Sequence, residues 1–242
     1  MVSVCVPVYN GMKYVGEQLG SILCQLGEGD EVVVSDDGST DGTLEYVRAL
    51  SAEDPRVRVV EHAKEPSSHT FDYTTRNVEH AILHSRGDVI FLADQDDVWM
   101  PGKVSLFLEE LKGSDLVLSD CVVVDGGMGV LSDSYFRLNG SAPGILRNLV
   151  GNSYLGCCMA FRRTLLRYAL PFPRTLVPHD IWLGLLAEAR GRVSFLRTPT
   201  MYYRRHSGNL SSSGGTSANS LAFKLYYRLA VAFSLIKRLY VE

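Results

Sequence analysis

Short apolar runs alternate with longer amphipathic stretches through the first half of the chain. Ser3–Val8, Glu31–Ser35, Val57–Val60, Val89–Ala93 and Leu116–Val124 read as strands. Their hydrophobicity is nearly continuous rather than alternating, so both faces of each are expected to be covered. Between them, Lys13–Leu26, Thr43–Ala52, Phe71–Ser85 and Pro101–Lys112 have helical length and period. Asn10-Gly11 and Asp36-Asp37-Gly38 mark turns, Thr40-Asp41 offers a helix cap, Pro101 suits a first helical turn and Gly113 a stop. Buried strands separated by helices predict an α/β fold with a doubly wound, mostly parallel central sheet flanked by helices.

Beyond Val124 the pattern loosens. Asp125-Gly126-Gly127 and Asn139-Gly140-Ser141 are loop chemistry, Val177–Arg190 reads as a helix entered through Pro178, and Thr200–Arg204 as a short strand. Ser207–Asn219, rich in Ser, Gly and Asn, reads as a mobile linker, and Leu221–Val241 as a C-terminal helical tail.

Composition narrows the function classes. A chain of 242 residues, 46% hydrophobic and 21% charged, is long enough to bury a full core without disulfides or a structural metal. A net charge of −3 argues against a nucleic-acid partner, whose binders are usually strongly basic. Cys5, Cys24, Cys121, Cys157 and Cys158 form no CxxC pair and no zinc spacing, and read as reduced thiols of a cytoplasmic protein. The start MVSVCVPVYN lacks a basic n-region before a long apolar core, and no run of about 18 apolar residues suggests a spanning helix.

In an open α/β sheet, ligands bind beyond the carboxyl ends of the strands. There the first strand ends in Tyr9-Asn10-Gly11, the second in Asp36-Asp37-Gly38-Ser39-Thr40-Asp41, and the fourth in Asp94-Gln95-Asp96-Asp97. Any one of these acids could be a turn residue, but so many together repel unless a positive charge lies among them. Hard carboxylate oxygens suit Mg²⁺ or Mn²⁺, which in turn hold phosphate oxygens. With no P-loop and no GxGxxG, a phosphate would be held through the metal.

Three segments carry a specific likeness. VSVCVPVYNG (Val2–Gly11), VSDDGSTDG (Val34–Gly42) and IFLADQDDVW (Ile90–Trp99), in that order and spacing, resemble a family 2 glycosyltransferase of the GT-A fold. DQDDVW followed by Pro101 and Lys103, YLGCCMAF (Tyr154–Phe161) and His179-Asp180-Ile181-Trp182-Leu183 are similar to its rhamnosyltransferase-like branch, with Cys158 replacing a hydroxyl residue. The likeness covers most of residues 1–210, and implies a nucleotide-sugar half (1–125), an acceptor-side half (126–210), a linker (211–220) and an amphipathic helix (221–242).

The resemblance also implies roles. Pro7, Tyr9 and Asn10 would line the base pocket, Asp36 would accept from a pyrimidine N3–H with Asp37 close by, and Asp94 would face the ribose or donor sugar. Asp96 would ligate Mn²⁺ or Mg²⁺, supported by Asp97 and joined by His206, with Arg204 and Arg205 beside the diphosphate. Trp99, Gly156, Cys157, His179 and Trp182 fall on the acceptor side, and Asp180 would be the general base. Trp99 also suits a core anchor. His62, His69, His80 and His84 read as surface or packing residues.

The implied reaction is metal-dependent, inverting transfer of a sugar from dTDP-rhamnose or a UDP-hexose to a saccharide or lipid-linked oligosaccharide in surface polysaccharide synthesis. A sugar-1-phosphate nucleotidyltransferase would need a glycine-rich basic loop after the first strand, and Val8-Tyr9-Asn10-Gly11 offers none. A carbohydrate-binding module would display exposed aromatics and need no acid cluster. In the tail, Lys224, Arg228 and Arg238 share one side. The helix is expected either to pack on its own domain or on a second subunit as a homodimer, or to lie on the inner face of the cell membrane with that basic side toward anionic headgroups.

Overall fold

The structure is a computed structural model that describes residues 1–64, 67, 70–174, 176–206 and 220–240. The readings of His69 as a surface residue and of Ser207–Asn219 as a linker lie outside the described residues.

Strands β1 (Val2–Val8), β2 (Glu31–Asp36), β3 (Val57–Glu61) and β4 (Val89–Leu92) form a parallel half-sheet in the order β3-β2-β1-β4. Helices α1 (Val15–Leu23), α2 (Thr43–Glu53) and α3 (Thr70–His84) are the crossovers. Every residue of β1 and β2 is buried, as their continuous hydrophobicity requires. The register sets Val8 opposite Asp36 and Asp36 opposite Glu61, so these strands end at one level.

The second half is mixed. After the two-residue strand β5 (Val98–Trp99) and helix α4 (Lys103–Glu110) come β6 (Leu116–Asp125), β7 (Val130–Ser132), α5 (Tyr135–Asn139) and α6 (Ile145–Val150). Then follow β8 (Met159–Arg162), α7 (Leu166–Ala169), α8 (His179–Arg190), β9 (Val193–Arg205) and α9 (Leu221–Tyr240). β8 runs antiparallel between β4 and β6, which returns β6 to the direction of β4, and β9 lies parallel to β6. The strands β1, β2, β4, β6 and β9 therefore all deliver their carboxyl ends to the same edge. The expected short strand at Thr200–Arg204 is the last part of the 13-residue β9, whose pairing with β6 shifts register around Pro199. Helix α2 begins not on a Thr40-Asp41 cap but on Gly42 at φ 95°; Asp41 instead accepts from the Thr43 N–H (3.1 Å) and the Met12 N–H (3.0 Å).

At the opposite edge Glu31 is buried, accepts a hydrogen bond from Ser3 Oγ (2.6 Å) and forms an ion pair with Arg58 (2.6 Å). Burial would raise its pKa, but these partners outweigh it and hold it below the usual range. Gly87 crosses β1 here, donating its N–H to Ser3 Oγ at 2.7 Å. A Cβ on Gly87 would sit 2.6 Å from the Ser3 backbone nitrogen and 2.8 Å from the Val2 carbonyl carbon, neither of which can yield without distorting β1. Gly87→Ala is thus expected to cost about 1–3 kcal/mol, read as a lower urea midpoint with unchanged slope; unchanged stability would show that β1 can shift.

Candidate functional site

The end of β1 is fixed by a side chain that mimics a strand. Gln95 accepts from the Tyr9 N–H (2.8 Å) and donates to the Tyr9 carbonyl (3.0 Å), tying the loop after β4 to the loop after β1. Gly11 lies so close against this amide that no Cβ fits. Asn10, at φ 50°, accepts from the Thr40 N–H (2.8 Å), and Asn77 of α3 donates to the Ser35 carbonyl at 2.9 Å. Pro7 is buried within β1, while Tyr9 is exposed, with the Lys64 ammonium 3.7 Å over its ring.

Asp36 turns one oxygen back to the N–H groups of Gly38 and Ser39, both at 2.9 Å. Its other oxygen, Oδ1, is buried with no partner, an acceptor waiting for a donor. Asp37 is engaged by His62 (2.9 Å) and Lys64 (3.7 Å). Sequence reasoning missed both partners because they come from the chain after β3, distant from either motif.

The acids after β4 divide by environment. Asp97 is fully buried; Oδ1 accepts from the Arg204 N–H (2.9 Å) and Oδ2 has no partner. Asp96 meets His206 Nε2 at 2.8 Å, and that imidazole stacks on Tyr14 with ring centroids 4.9 Å apart. Asp94 is half-buried. Burial, joined by the charges of Asp96 and Asp180, pushes its carboxyl up to about 7. Burial and the charges of Asp96 and Asp94 likewise raise Asp97 well above the carboxylate range.

Asp180 stands in the first turn of α8, behind the extended Pro178. Its oxygens accept from the Ile181 N–H (2.7 Å) and from Asn152 Nδ2 (3.2 Å), yet burial still raises its pKa. Asn152 is another partner that the sequence did not single out. His179 packs against Gly156, its Nδ1 is buried without a partner, and burial lowers its pKa.

Several expected site residues do other work. Arg204 is nearly buried: Nε donates to the Asp96 carbonyl (2.8 Å), NH2 pairs with Glu17 (2.6 Å), and the guanidinium lies 4.6 Å over Tyr14. It braces the acid loop from behind, where the sequence pattern suggested a diphosphate partner. Arg205 lies over the Tyr203 ring and donates to its hydroxyl at 3.2 Å. Trp182 is not on the acceptor side but in the core, its Nε1–H on the Ala169 carbonyl at 2.9 Å with Arg238 over its ring. Trp99 is also buried, packed on Phe91 with Lys103 over it. Cys157 is buried too, its backbone carbonyl accepting from Lys103 Nζ at 3.1 Å.

The donor chemistry suits a divalent cation. Among the described residues, ligand atoms of Asp94, Asp97 and Cys157 lie within 4.8 Å of one another, and Asp96 and His206 form a second, adjacent pair. Burial holds the Cys157 thiol well above its ordinary pKa, so as a protonated sulfur it is a poor ligand for a hard ion. The partly exposed Asp96–His206 side, a carboxylate and an imidazole, is the better match to Mn²⁺ or Mg²⁺.

With that geometry in hand, known proteins place the chain. The family described as glycosyl transferase family 2 matches residues 3–169, and the chain belongs to it. A glycosyltransferase of Nostoc sp. is 25% identical over 230 residues, 89% of this chain and 69% of its own length. Glycosyltransferase GlyG of Streptococcus pneumoniae is 29% identical over 58% of this chain and 44% of its own. Among solved structures, S. aureus TarS 1–349 with UDP-GlcNAc superposes with a TM-score of 0.71 at 23% identity, covering 97% of this chain and 66% of TarS 1–349. The Pyrobaculum calidifontis mannosyltransferase with GDP-Man and Mn²⁺ gives 0.64 at 21% identity, covering 96% and 64%. These likenesses show the same fold, and the chain spans about two thirds or less of the length of most of these proteins.

Asp94 gives a test of the charge clustering. Its folded pKa is raised, so its proton stabilises the fold fully below about pH 4, and that contribution fades as pH rises through about 7. Asp94→Asn removes the charge, so in EDTA at pH 8 its Tm is expected to lie a few degrees above wild type. The gap should shrink toward pH 5. Equal Tm values at pH 8 would show that the acids do not repel.

Proposed function

We propose that this domain transfers a sugar from a nucleotide diphosphate donor, UDP-hexose or dTDP-rhamnose, to a saccharide hydroxyl with inversion, in surface polysaccharide synthesis. The observation that carries the reading is the convergence of two acid centres. Asp180, on α8, is close enough to Asp94, beyond β4, for its charge to add to those that raise the Asp94 carboxyl.

The unpartnered Asp36 Oδ1 supports a pocket for a base N–H, with the exposed Tyr9 ring beside it. Asp96 and His206 would hold the cation, which when bound supplies positive charge to the leaving diphosphate. Tyr14 stacks on the His206 ring, and Arg204 holds the Asp96 backbone through its carbonyl. Asp180 takes the proton of the acceptor hydroxyl as its oxygen bonds to the anomeric carbon. The bond from that carbon to the diphosphate oxygen breaks, and its electron pair leaves with the nucleotide. Asn152 and the Ile181 N–H orient the Asp180 carboxylate without consuming all its lone pairs. Among the neighbours, TarS is seen with UDP-GlcNAc and the mannosyltransferase with GDP-Man and Mn²⁺, which makes a panel of nucleotide sugars the natural first screen. We also infer that α9 brings the domain to a membrane surface.

Asp180→Asn is expected to lower kcat by about 10²–10⁴-fold while leaving UDP or dTDP binding, by calorimetry with Mn²⁺, within about twofold. A base must be ionised, so wild-type kcat/KM should rise with pH through an acidic limb above the ordinary carboxylate range, set by the raised pKa of Asp180. Retention of full activity in the variant would remove Asp180 from the role.

A further inference from the structure

Helix α9 meets its own domain with one side only. Val231 and Leu235 are buried, and Arg238 reaches inward to the carbonyls of Tyr168 (2.8 Å), Leu170 (3.1 Å) and Pro171 (2.7 Å). Arg190 of α8 in turn donates to the Leu239 carbonyl at 2.8 Å. This reverses the sequence expectation of a basic side facing outward: at 100° per residue, Lys224, Arg228 and Arg238 share the half that carries Val231 and Leu235.

The outward side is apolar. Leu225, Tyr226, Leu229, Phe233, Ile236 and Tyr240 are each between 56% and 82% exposed, and they fall within about 100° of arc. Helix α6, packed against α9, extends the surface with Leu146 (80% exposed) and Val150 (66%). A continuous apolar face of this size on a domain surface marks an interaction site.

Its charges say what kind. Between Leu221 and Tyr240 stand Lys224, Arg228, Lys237 and Arg238 and no acid, and α6 adds Arg147 and no acid. On the helical wheel the exposed Lys237 borders one flank of the apolar arc, while Arg228 stays on the inward half. Tyr226 and Tyr240 stand toward its two ends. An apolar face free of acids, with the exposed Lys237 at its edge, Arg147 on the neighbouring helix and amphipathic rings among its residues, matches a bilayer interface whose headgroups are anionic. Among the described residues no helix is long and apolar enough to cross a membrane.

We propose that the outward face of α9, extended by α6, docks flat on an anionic lipid surface. It would thereby hold the acceptor mouth against lipid-linked saccharides. The position of α9 supports the second part: it packs against α8, the helix that carries Asp180. That second part rests on the transferase reading; the docking itself does not.

The experiment is flotation of the full chain with vesicles of phosphatidylcholine alone or containing phosphatidylglycerol, beside the double variant Leu229→Asp, Phe233→Asp. Both positions are exposed, so the variant should keep its Tm and its metal-dependent hydrolysis of the nucleotide sugar. Wild type is expected to float with the anionic vesicles and the variant to lose at least about tenfold of that bound fraction. Wild type left in the soluble fraction with both vesicles, or a variant that floats equally, overturns the docking. So does a wild-type dimer in sedimentation that the variant abolishes without any flotation, since a second copy would then own the face. Loss of hydrolysis in wild type, with flotation intact, would fall on the transferase reading alone.

Discussion

Four consecutive residues after β4 include three carboxylates, and water is largely excluded from them. In a low-dielectric setting such charges cannot stand side by side without a counter-charge or a proton. Arg204 supplies the permanent part of the answer. Its backbone N–H, guanidinium and stacking surface hold Asp97, the Asp96 carbonyl, Glu17 and Tyr14 together. It occupies this position because β9 runs parallel to β6 and ends at the same edge as β4. The 13-residue length of β9 thus carries Arg204 and His206 to the acid loop.

The two halves of the sheet then divide the labour. The parallel half is rigid: β1 and β2 are buried throughout, and Gln95 and Asn77 pin their carboxyl ends to neighbouring loops. That rigidity suits a pocket in which Asp36 must present one fixed oxygen. The mixed half turns on the antiparallel strand β8, preceded by the Cys157-Cys158 turn, which lets the chain double back and place α8 across the cleft. Asp180 is delivered by that detour.

The parallel half was legible in the sequence because its strands are continuous Val-rich runs and its helices have clear period. In the mixed half α4, β6, α8 and α9 were legible by the same signals, but the short strands were not. β5 has two residues, β7 three and β8 four, and strands so short leave no periodic signal. In β9, Arg197-Thr198-Pro199 interrupts the apolar pattern at the register shift. At the site, acids beyond strand ends were visible because their clustering is improbable for turn residues. Their partners His62, Lys64 and Asn152 were not, nor was Glu17 beside Arg204, since nothing local distinguishes a long-range hydrogen-bond partner from a solvated polar residue. Trp182 shows the converse error: a motif fixed its neighbourhood, while the direction of its ring was set by core packing against Ala169 and Arg238.

Burial raises Asp94, Asp97 and Asp180 alike, but it serves each differently. For Asp97, whose free oxygen is sealed away from solvent, protonation is a way to coexist with its neighbours. For Asp94, which is partly buried, a pKa near neutrality makes its charge responsive to a nearby cation or charge. For Asp180, proposed above as the general base, a raised pKa brings the carboxylate closer to neutrality, where such a base is most effective. Three chemically identical groups are thereby separated by desolvation and by the charges around them. Asp96, paired with His206 on the more open side, is the carboxylate proposed above to face the cation.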